Sequence, residues 1–382
     1  MTIRFSRKAR RSQPGTMGCN MKPALFGAAL LILLPNVRLF AGSDEAFLPI
    51  QVRSASTVPS TGDQNPYGVA FVPPGFPAGG KASPGNVLVS NFNDSTNTQG
   101  KGTTIMDVSP TAAATVFFQG SAGIGLTTAL NVLRAGFVLV GNFPAPCGSQ
   151  GSILVIDKTG TQVGTITDPL INGPWDSTLF ENGTSAKFFV ANANTGIVVR
   201  IDLAVSAGGV AVKKVTQIAS GYQHQCVALT FVQGPTGLVY DPETDILYVA
   251  STQDNEIFAV GNAGDTPQDP DSPGTVVYSD NMHLRGPLGM IEAPNGHLIV
   301  ANNDNVNGDP TQPSELVEFT KGGKFVKQIS VDPLQGGSFG LAVGKSNDVT
   351  QLAAVDDNQG ILLIWNIPSS EERRDPEIRG ER

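Results

Sequence analysis

The chain has little of what most catalytic and membrane signatures are built from. Among 382 residues there are three cysteines, three histidines and two tryptophans, and only 15% are charged. Cys147 and Cys226 lack the paired spacing of a zinc site. Gly336-Gly337-Ser338-Phe339-Gly340 matches a nucleophile-elbow pattern, but that motif needs a strand-to-helix turn. Here a strand is expected next, and no histidine follows His297 to complete the usual order. Gly123-Ile124-Gly125 starts like a dinucleotide fingerprint, yet Thr128 stands where the third glycine belongs and no helix opens. The apolar run Ala24 to Leu34 is too short to span a bilayer as a helix. No basic stripe is present, so nucleic acid is not an expected partner.

What the N-terminus does contain is the order of a secretory signal. Arg4, Arg7, Lys8, Arg10, Arg11 and Lys22 precede that apolar run, and Ala41, Gly42 and Ser43 follow it. Residues 1–41 are therefore expected to be a cleaved signal, with Met1, Met17 or Met21 as the start and export to the periplasm or cell exterior as the outcome. Cleavage near Ala41 leaves 18 basic against 33 acidic residues, a net charge of −15. A chain that acidic should repel nucleic acid and anionic membrane surfaces. It also leaves Cys147 and Cys226 in an oxidising compartment, where a disulfide between them is expected; two unpaired thiols are the alternative.

The strongest pattern is an echo. Valine-rich runs end as Val89-Ser90-Asn91, Val140-Gly141-Asn142, Val190-Ala191-Asn192, Val249-Ala250-Ser251, Val300-Ala301-Asn302 and Ala354-Val355-Asp356. The spacing stays near 50 residues, the mark of a radial or stacked array. A glycine turn opens most units: Asn65-Pro66-Tyr67-Gly68, Gly173-Pro174-Trp175-Asp176, Gly234-Pro235-Thr236-Gly237, Gly286-Pro287-Leu288-Gly289 and Gly337-Ser338-Phe339-Gly340. Short β-branched runs bounded by Gly, Pro, Asn and Asp follow, with no long helical period. The expected fold is all-β: a six-bladed β-propeller of four-stranded antiparallel blades spanning residues 42–368. The sixth unit lacks its fourth strand, and Phe47–Arg53 is expected to supply it and close the ring. Pro49 would be tolerated there on an edge. The charged stretch 369–382 is expected to be a disordered tail.

The opening glycine turn followed by the Leu247-Tyr248-Val249-Ala250 type of strand resembles NHL-repeat propellers and their relatives in the gluconolactonase superfamily, over roughly residues 47–367. The resemblance implies the six-bladed fold. In lactonase-type relatives it also implies calcium held by acidic and amide groups at the mouths of the inner strands. The matching positions are Tyr67, Thr127, Trp175, Thr236, Leu288 and Phe339, none of them a carboxylate or amide. Only Asp176, one residue on, offers a hard oxygen, and one such ligand does not hold a divalent cation.

Candidate chemistry therefore rests on scattered residues. Asp176, His224, His283 and Arg285 are the candidates for acid–base work, with His224 and His283 placed on the channel face. Tyr67, Trp175, Asp176, Tyr222 and Asp280 are the candidates for binding. Asn303, Asn305, Asn307 and Asp309 partly follow an EF-hand loop, although Glu315 closes it one residue late. Calcium is the one cofactor this pattern admits, and none is firmly predicted. The reading that follows is an exported, monomeric propeller whose channel face binds a small molecule or a protein, without a stable membrane anchor. The rival is a metal-assisted, lactonase-like hydrolase or a lyase using the channel-face His, Asp and Arg residues.

Overall fold

The computed structural model describes residues 46–48, 53–144, 149–226, 232–265, 269–304, 306–346 and 348–367. Six four-stranded antiparallel sheets follow one another along the chain. The inner strands are Gln64–Phe71, Leu126–Leu133, Pro174–Asn182, Pro235–Asp241, Pro287–Glu292 and Ser338–Ser346, one for each of blades one to six. Each pairs with the valine strand that follows it, and two further strands complete the blade. A short hairpin, Gln225–Cys226 with Val232–Gln233, lies between blades three and four. Among the described residues there is no helix.

The echo has a structural reason. Its third residues occupy one register position, opposite Pro66, Leu126, Pro174, Pro235, Pro287 and Ser338 of the inner strands. From there an amide latches the chain arriving from the preceding blade. Asn142 Oδ1 accepts from the Gly125 N–H at 2.9 Å, and Asn192 Oδ1 from Asn172 N–H at 2.8 Å. Asn302 accepts from Arg285 N–H and donates to the His283 carbonyl, while Asn91 donates to the Thr57 carbonyl. Buried backbone groups in these connections must be paired, and a short amide at a fixed position pairs them. Ser251 and Asp356 hold the position in blades four and six, where Ser251 Oγ donates instead to Asp254 Oδ2 and Asp356 Oδ1 accepts from the Gln359 N–H. Burial, then the nearby Asp332 charge, pushes the Asp356 carboxyl up to about 7.

The glycine two residues past that register position in most inner strands also has a cause. A Cβ at Gly289 would sit 2.6 Å from the Phe339 carbonyl oxygen, and one at Gly340 would run into the Tyr67 carbonyl. The inner strands of successive blades approach too closely there for a side chain. Blade two has Thr128 at this position, its hydroxyl donating to the Trp175 carbonyl. Blade three has Asp176.

The ring closes through the N-terminus, but not with the expected residues. Arg53–Ser56 is the fourth strand of blade six, with Arg53 opposite Ile364 and Ser56 opposite Ile361. Phe47 and Leu48 do something else. Both are buried in the cluster that holds Leu341, Leu352, Leu363, Trp365 and Ile367. Their N–H groups bind the Glu318 carboxylate, Phe47 at 2.7 Å and Leu48 at 3.0 Å. Apolar burial and a buried acceptor together take this stretch out of the sheet, and the closing strand falls later in the chain. Residues 49–52, Pro49 among them, lie outside the described residues.

Candidate functional site

One mouth of the central channel is plugged. Tyr67 stacks on Phe339 at 4.3 Å between ring centroids and on Phe92 at 4.8 Å. Trp175 meets Phe92, Tyr67 and Phe143 edge-on. Leu288 and Ala193 fill the same cluster, and all of these residues are buried. Offset and edge-to-face ring pairs each add about 0.5–1.5 kcal/mol beyond the apolar area they bury. Tyr67 and Trp175, expected as binding residues, are here the packing of the closed end. This mouth corresponds to the inner-strand positions where lactonase-type relatives are expected to hold calcium.

Beyond the plug the channel opens toward the hairpins that join the first and second strands. A cavity of about 520 Å³ runs there between the six inner strands. Each inner strand pairs on one edge only, so its other edge offers unpaired backbone groups. Apolar side chains, including Leu130, Leu238 and Met290, alternate with Asn131, Ser177 and Thr178 on the wall. Asp176 lies at the closed end, partly exposed to the channel, its Oδ1 accepting from Ser177 N–H at 2.7 Å. Burial pushes its carboxyl up to about 7, the Ser177 bond only partly offsetting this. Arg134 is the one cationic side chain lining the cavity, and Glu181 engages it at 3.2 Å.

The other sequence candidates lie elsewhere, on the walls of different cavities. His224 is exposed, its Nδ1 3.1 Å from the Tyr222 carbonyl, beside Gln225 and Gln253. Tyr222 is buried and donates to the Pro273 carbonyl, a packing role rather than a wall position on the channel. His283 and Asp280 form a close pair, Nδ1 to Oδ2 at 2.6 Å. The His283 ring stacks on Phe325, which opens the outermost strand of blade five, Phe325–Ser330. Burial would raise the Asp280 carboxyl, but bonds from the His283 ring and backbone, Tyr278 and Met282 bring it down to about 2. His283 borders a separate pocket of about 680 Å³ with Met282, Gln312 and Lys327. Asp176, His224 and His283 therefore do not share one site. The disulfide expected between Cys147 and Cys226 lies outside the described residues: Cys147 is not described, nor is the Cys226 side chain.

The EF-hand-like loop is organised around a guanidinium. Arg285, 6% exposed, donates to the Asn307 carbonyl at 3.1 Å, the Met282 carbonyl at 2.6 Å and Asp309 Oδ2 at 3.3 Å. Its Nε lies 2.9 Å from the fully buried Glu315 carboxylate. Burial, then the Asp304 charge, pushes Glu315 up to about 7. The Asn307 backbone carbonyl and the Asp309 carboxylate, both in the loop that the sequence offered to calcium, are thus engaged by an arginine 22 and 24 residues upstream. Asn303 is buried beneath the loop, and Asn305 lies outside the described residues. No group of three or more His, Cys, Asp or Glu side chains able to hold a metal occurs among the described residues. Replacing Arg285 by methionine strands a buried carboxylate, which costs about 3–5 kcal/mol. Melting should show that loss in Arg285→Met, while a chelator should leave the wild-type midpoint where it is. A chelator-sensitive wild-type midpoint would instead mean that a metal holds the loop.

Two buried partners escaped the sequence altogether. His297, which follows the Asn295-Gly296 turn, is 1% exposed, with its Nδ1 2.6 Å from Glu318 Oε1. The two residues stand 21 positions apart and meet only because adjacent strands bring them together. Asp176 did leave a signal: at its position four of the six units have glycine.

No family model and no curated protein sequence matches this chain. Solved structures do. A gluconolactonase from Xanthomonas campestris superposes with a TM-score of 0.50 at 14% identity, covering 83% of this chain and 89% of that one. A luciferin-regenerating enzyme gives 0.50 at 12% identity, over 83% and 95%. The calcium-binding protein regucalcin from Agrobacterium tumefaciens gives 0.50 at 14% identity, over 82% and 93%. What is shared is the fold. The architecture inferred from the echo is the one these propellers have, and at such identities nothing about their chemistry transfers with it.

Proposed function

We propose that this protein is a binding propeller whose ligand enters the central channel from the hairpin mouth and reaches Asp176. The observation that carries this reading is the asymmetry of the channel. Aromatic side chains fill one end, and a cavity large enough for a small molecule stays open at the other. Asp176 stands where most blades tolerate only glycine, which is a costly place to keep a carboxylate without a task. The plug also argues against a lactonase-type calcium site at the inner-strand mouths. The partner is read as a small molecule rather than nucleic acid, and the acidic chain as an exported monomer.

The test is a thermal-shift screen of a metabolite library against the wild type and Thr178→Phe, which places a ring across the channel wall. Hits that stabilise the wild type by several degrees and leave Thr178→Phe unmoved are expected. Hits that stabilise both proteins equally would place the site elsewhere.

A second reading has one observation behind it. The Asp280–His283 pair holds an imidazole in the orientation used for general-base work, beside its own pocket. Hydrolysis of a chromogenic ester panel by the wild type, abolished in His283→Gln, would favour it over the channel reading.

A further inference from the structure

The channel reading leaves the chemistry of the ligand open, and the charges around the cavity narrow it. Of the charged residues on the wall, Asp176, Glu181 and Glu292 are acidic and only Arg134 is basic. Arg134 is already bound by Glu181. At the rim, Lys321 is held between Asp241 and Glu292, each at 2.7 Å. Arg134 and Lys321 therefore each have an acidic partner, and Asp176 has no cationic one. Its hydrogen-bond donor is the N–H of the next residue alone.

An unpaired carboxylate at the closed end of a narrow cavity is costly unless something brings a positive charge or a proton to it. The wall next to it combines apolar residues, Val69, Leu130, Leu238, Met290 and Leu341, with the neutral polar Asn131, Ser177 and Thr178. A ligand suited to this cavity has a cationic head small enough for the glycine-lined end and an apolar body behind it.

We propose that the channel's ligand is an organic cation whose ammonium group is received by Asp176. The inference rests on the channel reading above and adds the ligand class. Ammonium binding would satisfy the carboxylate with a charge-assisted hydrogen bond, and the apolar body would displace channel water. The acidic rim adds long-range attraction that salt should weaken.

Calorimetric titration with hexylammonium chloride, hexanol and hexanoate separates the possibilities, using the wild type, Asp176→Asn and Thr178→Phe. Hexylammonium should bind the wild type, at least tenfold more weakly to Asp176→Asn, and not measurably to Thr178→Phe. Affinity for the wild type should fall as salt is raised, and hexanol and hexanoate should bind far more weakly. If hexanol or hexanoate binds as well as hexylammonium, and Thr178→Phe abolishes that binding, the ligand class is wrong and the channel reading stands. Hexylammonium bound equally by Thr178→Phe overturns the channel reading itself. Absence of hexylammonium binding to a folded wild type overturns the cation proposal.

Discussion

Asp176→Asn should make the protein more stable at pH 8 and leave it almost unchanged at pH 4. A carboxyl whose folded value lies near 7 keeps its proton in the native state where the unfolded chain has already lost it. Between about pH 4 and pH 7 the native state therefore binds more protons, and stability falls as pH rises through that window. Above pH 7 the deficit is constant. Three pH units correspond to about 4 kcal/mol as an upper bound. Asp176 faces the channel and keeps some contact with water, so a gain of about 1–3 kcal/mol is the expected size. Asparagine retains the oxygen that accepts from Ser177 and carries no charge. Urea unfolding of both proteins at pH 4 and pH 8 checks this. A variant that is less stable at pH 8 would mean that Asp176 is paired in the native state. The same substitution should weaken ligand binding at least tenfold, so stability and binding are expected to move in opposite directions, as they do where a binding residue is held under strain.

Glu318→Ala is expected to cost about 3–5 kcal/mol, the penalty for breaking a buried charged network. The Glu318 side chain is fully buried and accepts bonds from Phe47 and Leu48 N–H, the Asn295 amide and the His297 ring. Removing it leaves these groups without their acceptor in the interior. Hydrogen exchange should localise the damage. The Phe47 and Leu48 amides, protected in the wild type, should exchange freely in the variant, while the inner strands stay protected. Unchanged protection at these two amides would mean that apolar packing against Trp365 alone holds the segment.

The two variants also mark where sequence reasoning reached and where it stopped. The propeller was legible because its cause is local and repeated. An amide at the end of each second strand latches the incoming connection, so Asn91, Asn142, Asn192 and Asn302 recur at nearly even spacing. Closure by the N-terminus was legible from the missing strand of blade six. Its residues were not, because Phe47 is placed by Glu318, which lies 271 positions away. The same limit applies to the site. Tyr67 and Phe339 each look like exposed aromatics at a channel mouth. They become a plug only when ring closure brings the first and last blades together and stacks them. The loop after Asn302 looked like a calcium loop because its ligand pattern is local, whereas the cation that fills it, Arg285, comes from the preceding connection. Asp176 was the residue both kinds of evidence could find, since its oddity is a departure from the repeat.

The most direct measurement is crystallographic: crystals of the wild-type protein soaked with a broad set of small fragments. The account predicts fragment density inside the channel, entering from the hairpin mouth and ending at Asp176, with the aromatic cluster undisturbed behind it. Density confined to the Asp280–His283 pocket, or to the face above Tyr67 and Trp175 with the channel empty, would contradict it.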